Sequence, residues 1–394
     1  MISGAKNRSI GECNTHPQIA DIDDLPSSYN RSAFLTQVCS LQDRVVISSC
    51  LYANVKYSHT PPRSASQKNA YLQLLRGCAI TAVVIIHTLP ESTATIVMRP
   101  FLNWGVALFL FLSGLLTPRS KVGNLRSFYG RRIHKILIPY LVWTAIYLLS
   151  NVDDLLRLDA AHGAWRIVKA VALGSASAQL YYCIVYLFLV VLTPVIYRIL
   201  DSRFWWVAYA VTPVTLVVKY LCTPLDLPSV WGPFFGTWMI FYVVGLEWDT
   251  RFKPIVQRHG AVFWGVIAFV LTMVQMGEGF LWEFFGDNYD VATSQLKLSS
   301  MMASLAVAAF AMGISLDRES KVTSRNIMVK LGDLSFGIYL LHFIIIRVVL
   351  HVLPNVNVFT GIVYGIITLA VTALCVTVAS RMLPNRVREW IGFV

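Results

Sequence analysis

The chain is predicted to fold as an all-α polytopic membrane bundle of about ten transmembrane helices, with both termini cytoplasmic. Three observations predict this. Hydrophobic residues make up 56% of the 394 and charged residues 14%, with a mean hydropathy of +0.59, a balance typical of polytopic membrane proteins. The apolar runs are long and unbroken, which argues against the alternating strands of a β-barrel. Basic residues also recur in every second loop, as the positive-inside rule requires. That bias accounts for the net charge of +12 better than a nucleic-acid-binding face, so no nucleic-acid partner is expected.

Taken in order, residues 1–70 read as a cytoplasmic tail, polar, mixed in charge and largely disordered. Within it, Ala33–Val55 has the alternative of a short surface helix. No basic start followed by an apolar core opens the tail, so no secretory leader is expected. Residues 71–380 form the membrane domain. Apolar runs long enough to cross about 30 Å of hydrocarbon fall near 71–90, 101–117, 136–150, 179–198, 204–222, 231–248, 261–277, 295–316, 331–353 and 358–380. The connections 118–135, 198–203, 249–260 and 317–330 are basic, as is the short cytoplasmic tail 381–394. Acidic connections alternate with them, carrying Asp153, Asp154 and Asp159, then Glu278, Glu283, Asp287 and Asp290. Residues 164–178 suit an interfacial helix on the outer face or a re-entrant piece lining a cavity. Glu247, at the cytoplasmic end of its helix, is expected to be solvated, and Arg347 to snorkel to the outer interface. Seven cysteines without CxxC spacing suggest neither a structural disulfide nor a metal site.

Two ionisable residues interrupt the first apolar run, Arg76 and His87 in YLQLLRGCAITAVVIIHTLP. Such groups are costly in hydrocarbon and mark function. Eleven helical steps carry the chain roughly 16 Å and return it to within about 20° of the same face. An arginine near the cytoplasmic mouth suits a phosphate, through its rigid fork of donors. A histidine deeper in the bilayer suits a general base. Glu91, four residues on, would fix the His87 tautomer if the helix continued past Pro90. The competing reading of His87 is a neutral ring bonded to a neighbouring helix. The late helix places Ser335, Tyr339 and His342 on one face, where His342 either lines the same cavity or bonds across helices.

Several segments together resemble one family. The R-x10-H pair is followed by FLFLSGLL (Phe109–Leu116) and by FYGRRIHKILIPYLVW (Phe128–Trp143). AQLYYCIVYLFLVVLTPVIYRIL (Ala178–Leu200), PFFGTWMIFYVVGLEW (Pro233–Trp248) and LGDLSFGIYLLHFII (Leu331–Ile345) come next in order. This series resembles the acyltransferase 3 family of integral-membrane acyltransferases over roughly residues 70–380.

The resemblance implies that Arg76 and His87 are the essential pair. Arg132 matches the first basic position of the family's R-x-x-R element, and Lys135 stands where the second arginine is expected. Lysine keeps the charge but loses bidentate phosphate geometry, which shifts weight towards Arg131. The competing reading of this cluster is topological anchoring. The implied donor is acetyl-CoA, its phosphates among Arg76, Arg131, Arg132 and Lys135 and its thioester near His87. The implied acceptor is a hydroxyl on a glycan or lipid-linked saccharide at the outer face, with Ser113 or Tyr339 as possible oxyanion donors. Ser113 beside Gly114 is equally explained by close helix packing. The setting implied is a bacterial inner membrane. The alternative function is a polysaccharide export module without acyl transfer, for which Trp231, Trp238, Tyr181 and Tyr182 would stack on sugars.

Overall fold

A computed structural model describes residues 65–157, 159–222, 231–286, 288–317, 322–354 and 357–393. The side chains of 65–69, 121, 131, 154, 155, 316 and 317 lie outside that description. The readings made on residues 1–64, including the helix at Ala33–Val55, therefore fall outside the described residues.

The described residues form helices and no strand. In chain order these are α1 (Ala65–Ile86), α2 (Thr93–Met98), α3 (Trp104–Leu115), α4 (Leu125–Leu149), α5 (Val152–Leu156), α6 (Ala160–Leu173), α7 (Tyr181–Leu200) and α8 (Trp205–Cys222). Then follow α9 (Phe235–Leu246), α10 (Lys253–Gly286), α11 (Tyr289–Thr293), α12 (Leu298–Asp317), α13 (Ile327–Asp333), α14 (Ser335–Val352), α15 (Val358–Met382) and α16 (Asn385–Ile391). Among the described residues, eight helical stretches are long and apolar enough to cross a membrane. Two shorter apolar helices, Ala70–Ile86 and Phe235–Leu246, occupy the first and sixth predicted positions. The protein is thus a polytopic helical bundle. Val262, Phe263, Val266, Phe269 and Val270 on α10 are exposed, as side chains facing lipid are.

Apolar side chains gain little by leaving lipid, so the bundle is held by close packing, which favours small residues at crossings. Two such seams matter. A Cβ on Gly77 would lie 1.9 Å from the Met328 carbonyl oxygen, and one on Gly332 would lie 1.8 Å from that of Gln73, so α1 and α13 touch backbone to backbone. Gly114 and Gly245 do the same for α3 and α9, each Cβ site lying 2.2 Å from the other helix's carbonyl oxygen. Bulky rings (Tyr140, Tyr147, Trp238, Tyr242, Phe111, Phe241) fill the interior.

The structure corrects two expectations and adds one contact. The basic stretch read as loop 118–135 is helical from Leu125, because the Asn124 side chain accepts from the Ser127 amide and starts the helix there. Glu247 is not solvated: its side chain is 4% exposed and accepts from Arg251 at 2.6 Å and Arg119 at 3.0 Å. Arg119 also pairs with Asp201, and that contact leads in raising its pKa. Residues 385–393 of the basic tail pack against the bundle. The Trp143 indole donates to the Ile391 carbonyl at 3.0 Å, and Phe393 is buried against the Trp143 ring.

α6 follows Asp159 and ends at Gly174, whose φ of 70° is the left-handed cap that glycine supplies without strain. Its Trp165, Ile167, Val168 and Val171 are exposed, which fits an interfacial helix. Arg347, at its own end of α14, donates to Ser150 and Asn151.

Candidate active site

The two residues of the R-x10-H pair occupy different environments. Arg76 lies inside α1 beside Gly77, so the α1–α13 seam fixes the backbone that carries it. Among the described residues, its guanidinium donates only to Gln73 Oε1, one turn back, at 3.3 Å. With Ser113, Lys135, Tyr182, Ser335 and Tyr339 it lines a cavity of about 210 Å³. Arg76 and Lys135 give the cavity two cationic donors.

His87 stands one residue past the end of α1. The turn that carries it is pinned to α15, because the buried Thr88 hydroxyl lies 2.8 Å from the Gly361 carbonyl oxygen and 2.9 Å from that of Ile85. The His87 ring is partly exposed. It meets His342 at 5.8 Å and Phe343 at 4.7 Å between centroids. No hydrogen bond to either ring nitrogen of His87 forms among the described residues, which leaves the imidazole available for proton transfer.

A row of rings joins cavity and histidine. Tyr182 meets Tyr339 at 5.4 Å, Tyr339 meets His342 at 6.0 Å, and His342 meets His87. His342 is fully buried. Its Nδ1 lies 2.7 Å from the Tyr339 carbonyl oxygen and 3.1 Å from that of Ile338. Carbonyls only accept, so Nδ1 carries the proton and Nε2 is a lone-pair acceptor. Nε2 is buried with no partner.

The structure therefore brings Arg76, Lys135, Ser113, Ser335 and Tyr339 to one cavity and places His87 and His342 at the far end of the ring row. It does not bring Glu91 to His87. Helix α1 stops at Ile86 and Glu91 lies exposed in the following bend, so the i, i+4 relation that would join them does not exist. Arg132 points elsewhere as well. It donates to Thr117 Oγ1 at 2.6 Å and to the Leu116 carbonyl at 3.1 Å, closing the carboxyl end of α3, and it lies over the Phe128 ring. The side chain of Arg131 lies outside the described residues.

The two suggested oxyanion donors are engaged. Ser113 Oγ donates to the Phe109 carbonyl at 2.8 Å, and the Tyr339 hydroxyl donates to the Gln179 carbonyl. A hydroxyl has one hydrogen to give, so each must leave its carbonyl before it serves a substrate.

Sequence reasoning missed Tyr186 and Cys183 in the cavity wall and the Phe343 contact to His87. It also missed Arg99, whose charge acts on the His87 ring. The available signal was that Arg99 breaks the alternation of basic and acidic ends, lying on the far side of the first span from the basic loops.

No curated protein and no solved structure matches the chain. The family model for the acyltransferase domain matches residues 69–380, which takes in the cavity, the ring row and both histidines, and the chain belongs to the acyltransferase 3 family of membrane acyltransferases.

Proposed function

We propose that this membrane acyltransferase moves an acyl group, acetyl in the first instance, from acyl-CoA in the cytoplasm to a hydroxyl of a cell-surface or exopolysaccharide glycan at the outer face. The membrane in question is the bacterial inner membrane, with both chain ends in the cytoplasm. The observation that carries the reading is the arrangement of charge and base: a cavity with two cations, Arg76 and Lys135, linked by aromatic rings to an imidazole free of hydrogen bonds among the described residues.

Phosphates of the donor lie at the cavity mouth against Arg76 and Lys135, with Arg131 on the neighbouring turn of α4. Arg132 supports this site by fixing the α3–α4 corner and does not grip the donor. The thioester arm runs along the cavity past Ser335 and Tyr182 towards His87. There the acceptor oxygen attacks the thioester carbonyl carbon as its proton passes to His87. Collapse of the tetrahedral intermediate breaks the C–S bond, and the leaving thiolate takes the proton back from the imidazolium, giving free CoA and the ester. His342, a neutral ring bonded to its own helix, holds the place beside His87 that the sequence had reserved for Glu91.

The test is incorporation of radiolabel from acetyl-CoA into added polysaccharide by the purified protein. Wild type labels the polymer, whereas His87→Ala reaches the membrane in normal amount and transfers no label. A His87→Ala protein that labels at the wild-type rate overturns the mechanism. A wild-type protein that moves polysaccharide without consuming acetyl-CoA overturns the enzyme reading.

A further inference from the structure

Beyond His87, at the end of the bundle away from the basic loops, lies a group of cations that the donor site does not use. Arg99 follows α2 in the short turn Arg99–Phe101, and that turn packs on α10. Its guanidinium forms no ion pair and no side-chain hydrogen bond among the described residues, and its Nε is enclosed without a partner. Lys297, just before α12, is 0% exposed. Its ammonium donates to the Ala292 carbonyl at 2.6 Å and more weakly to that of Gln275 at 3.4 Å, and neither acceptor is charged. Arg99 acts electrostatically on both Lys297 and His87. Lys219 completes the group, donating to the Leu296 carbonyl at 2.8 Å.

The anions nearby do not pair directly with Arg99 or Lys297. Glu278 interacts electrostatically with Lys219 and Lys297, but its oxygens accept from the Tyr220 hydroxyl at 2.7 Å and from Ser299. Asp290 is within electrostatic reach of Arg99 and is exposed to solvent. No carboxylate lies within 4.0 Å of Arg99 or Lys297 among the described residues. The Gln275 amide nitrogen on α10, whose carbonyl accepts from Lys297, and the Asn103 side-chain oxygen, in the turn after Arg99–Phe101, are also buried without partners among the described residues. An arginine keeps its charge in any such setting, and enclosing a charge without a counter-ion is costly. Cations without a directly paired carboxylate, next to the base, mark a place where a ligand supplies the anion.

We propose that Arg99 and Lys297 form the acceptor's anion site: they seat a carboxylate or phosphate carried by the acceptor next to the hydroxyl that His87 deprotonates. The acceptor is then an acidic saccharide, such as one bearing a uronic acid or a sugar phosphate. This inference rests on the acyl-transfer reading for the word acceptor, and on the cluster alone for the anion.

The experiment is calorimetric titration of the full-length protein in phosphatidylcholine nanodiscs, without acetyl-CoA. The probes are two matched pairs: a disaccharide ending in glucuronate with its carboxyl-reduced neutral twin, and glucose 6-phosphate with glucose. Wild type is expected to prefer the charged member of at least one pair by about tenfold or more. Arg99→Gln erases that preference, Arg99→Lys keeps part of it, and Arg76→Gln, at the donor end, leaves it intact. Equal affinity within both pairs, or a preference that survives in Arg99→Gln, overturns the proposal. Repeating the titration in phosphatidylglycerol nanodiscs identifies the other source of the same chemistry. If anionic lipid abolishes the preference, the site belongs to a headgroup and the acceptor assignment fails. Because no transfer is measured, failure to label polysaccharide with this preference intact would sink the acyltransferase mechanism and leave the anion site standing.

Discussion

The rings of His87 and His342 lie 5.8 Å apart, one just past the end of α1 and the other in the middle of α14. His342 touches three rings, those of His87, Phe343 and Tyr339. Only His87 has a hydrogen free to offer its buried Nε2, because the Tyr339 hydroxyl is given to Gln179. In the proposed mechanism His342 is a positioning residue for the base. His342→Phe, which keeps the ring but removes both nitrogens, is expected to lower kcat by about 100-fold. KM for acetyl-CoA should stay unchanged, because the donor is gripped elsewhere. An equal loss in both constants would point to simple misfolding, and full kcat would remove His342 from the chemistry.

Glu91→Gln is expected to leave turnover within about twofold of wild type, since surface substitutions away from packed or paired groups cost little. Steady-state kinetics on the purified variant decides this. A loss beyond tenfold would return Glu91 to the mechanism.

Lys135 and Arg132 are three residues apart on α4 but are expected to fail in different ways. Lys135→Met removes a cavity cation and should raise KM for acetyl-CoA by about tenfold with Tm unchanged, as the loss of one charged contact does. Arg132→Met unties the end of α3 and should lower Tm while leaving the donor KM close to normal. Thermal melts and substrate titrations on both variants separate the two roles, and a matched pair of KM effects would contradict the assignment.

Gly77→Ala places a methyl group into the Met328 carbonyl. Overpacking at a backbone contact with no side chain to yield is expected to cost about 3 kcal/mol, the upper end of such substitutions. The measure is the fraction of protein that survives detergent extraction as a monodisperse species. A variant as stable as wild type would show that α1 and α13 are not locked together.

Glu247→Gln leaves Arg119 and Arg251 facing a neutral group. Breaking a fully buried pair costs about 3–5 kcal/mol, but both arginines are roughly half exposed, so a loss of about 1–2 kcal/mol is expected after screening. Denaturant melts in detergent provide the reading, and no change would show that water already satisfies the arginines.

Most of the membrane domain was legible in the chain because lipid imposes a simple demand, long apolar helices, and each of the ten predicted stretches overlaps a helix. The start of α4 was not legible from hydropathy, because its first turns are charged; the Asn124 cap was the only local sign. Glu247 misled because its partner Arg119 comes from far along the chain, and no pattern at one helix end reports such a partner. Spacing put Ser335 and Tyr339 on one face and the family resemblance put Arg76 and Lys135 at the donor end; the cavity brings them together. The end of α1 before Pro90, the engagement of Arg132 with Thr117, and the row of rings between α7 and α14 depend on tertiary packing. Arg99 and Lys297 went unread because loop charges were summed for topology, and the exceptions to that sum carried the information.

Thr88 gives the active site an unusual dependence. The imidazole's position is surveyed from α15, through a hydroxyl clamped near Gly361, while the guanidinium is surveyed from α13 through the glycine seam. The span between them is thus a composite ruler whose two ends are bolted to different walls. Any sliding of those walls past one another changes the interval between Arg76 and His87.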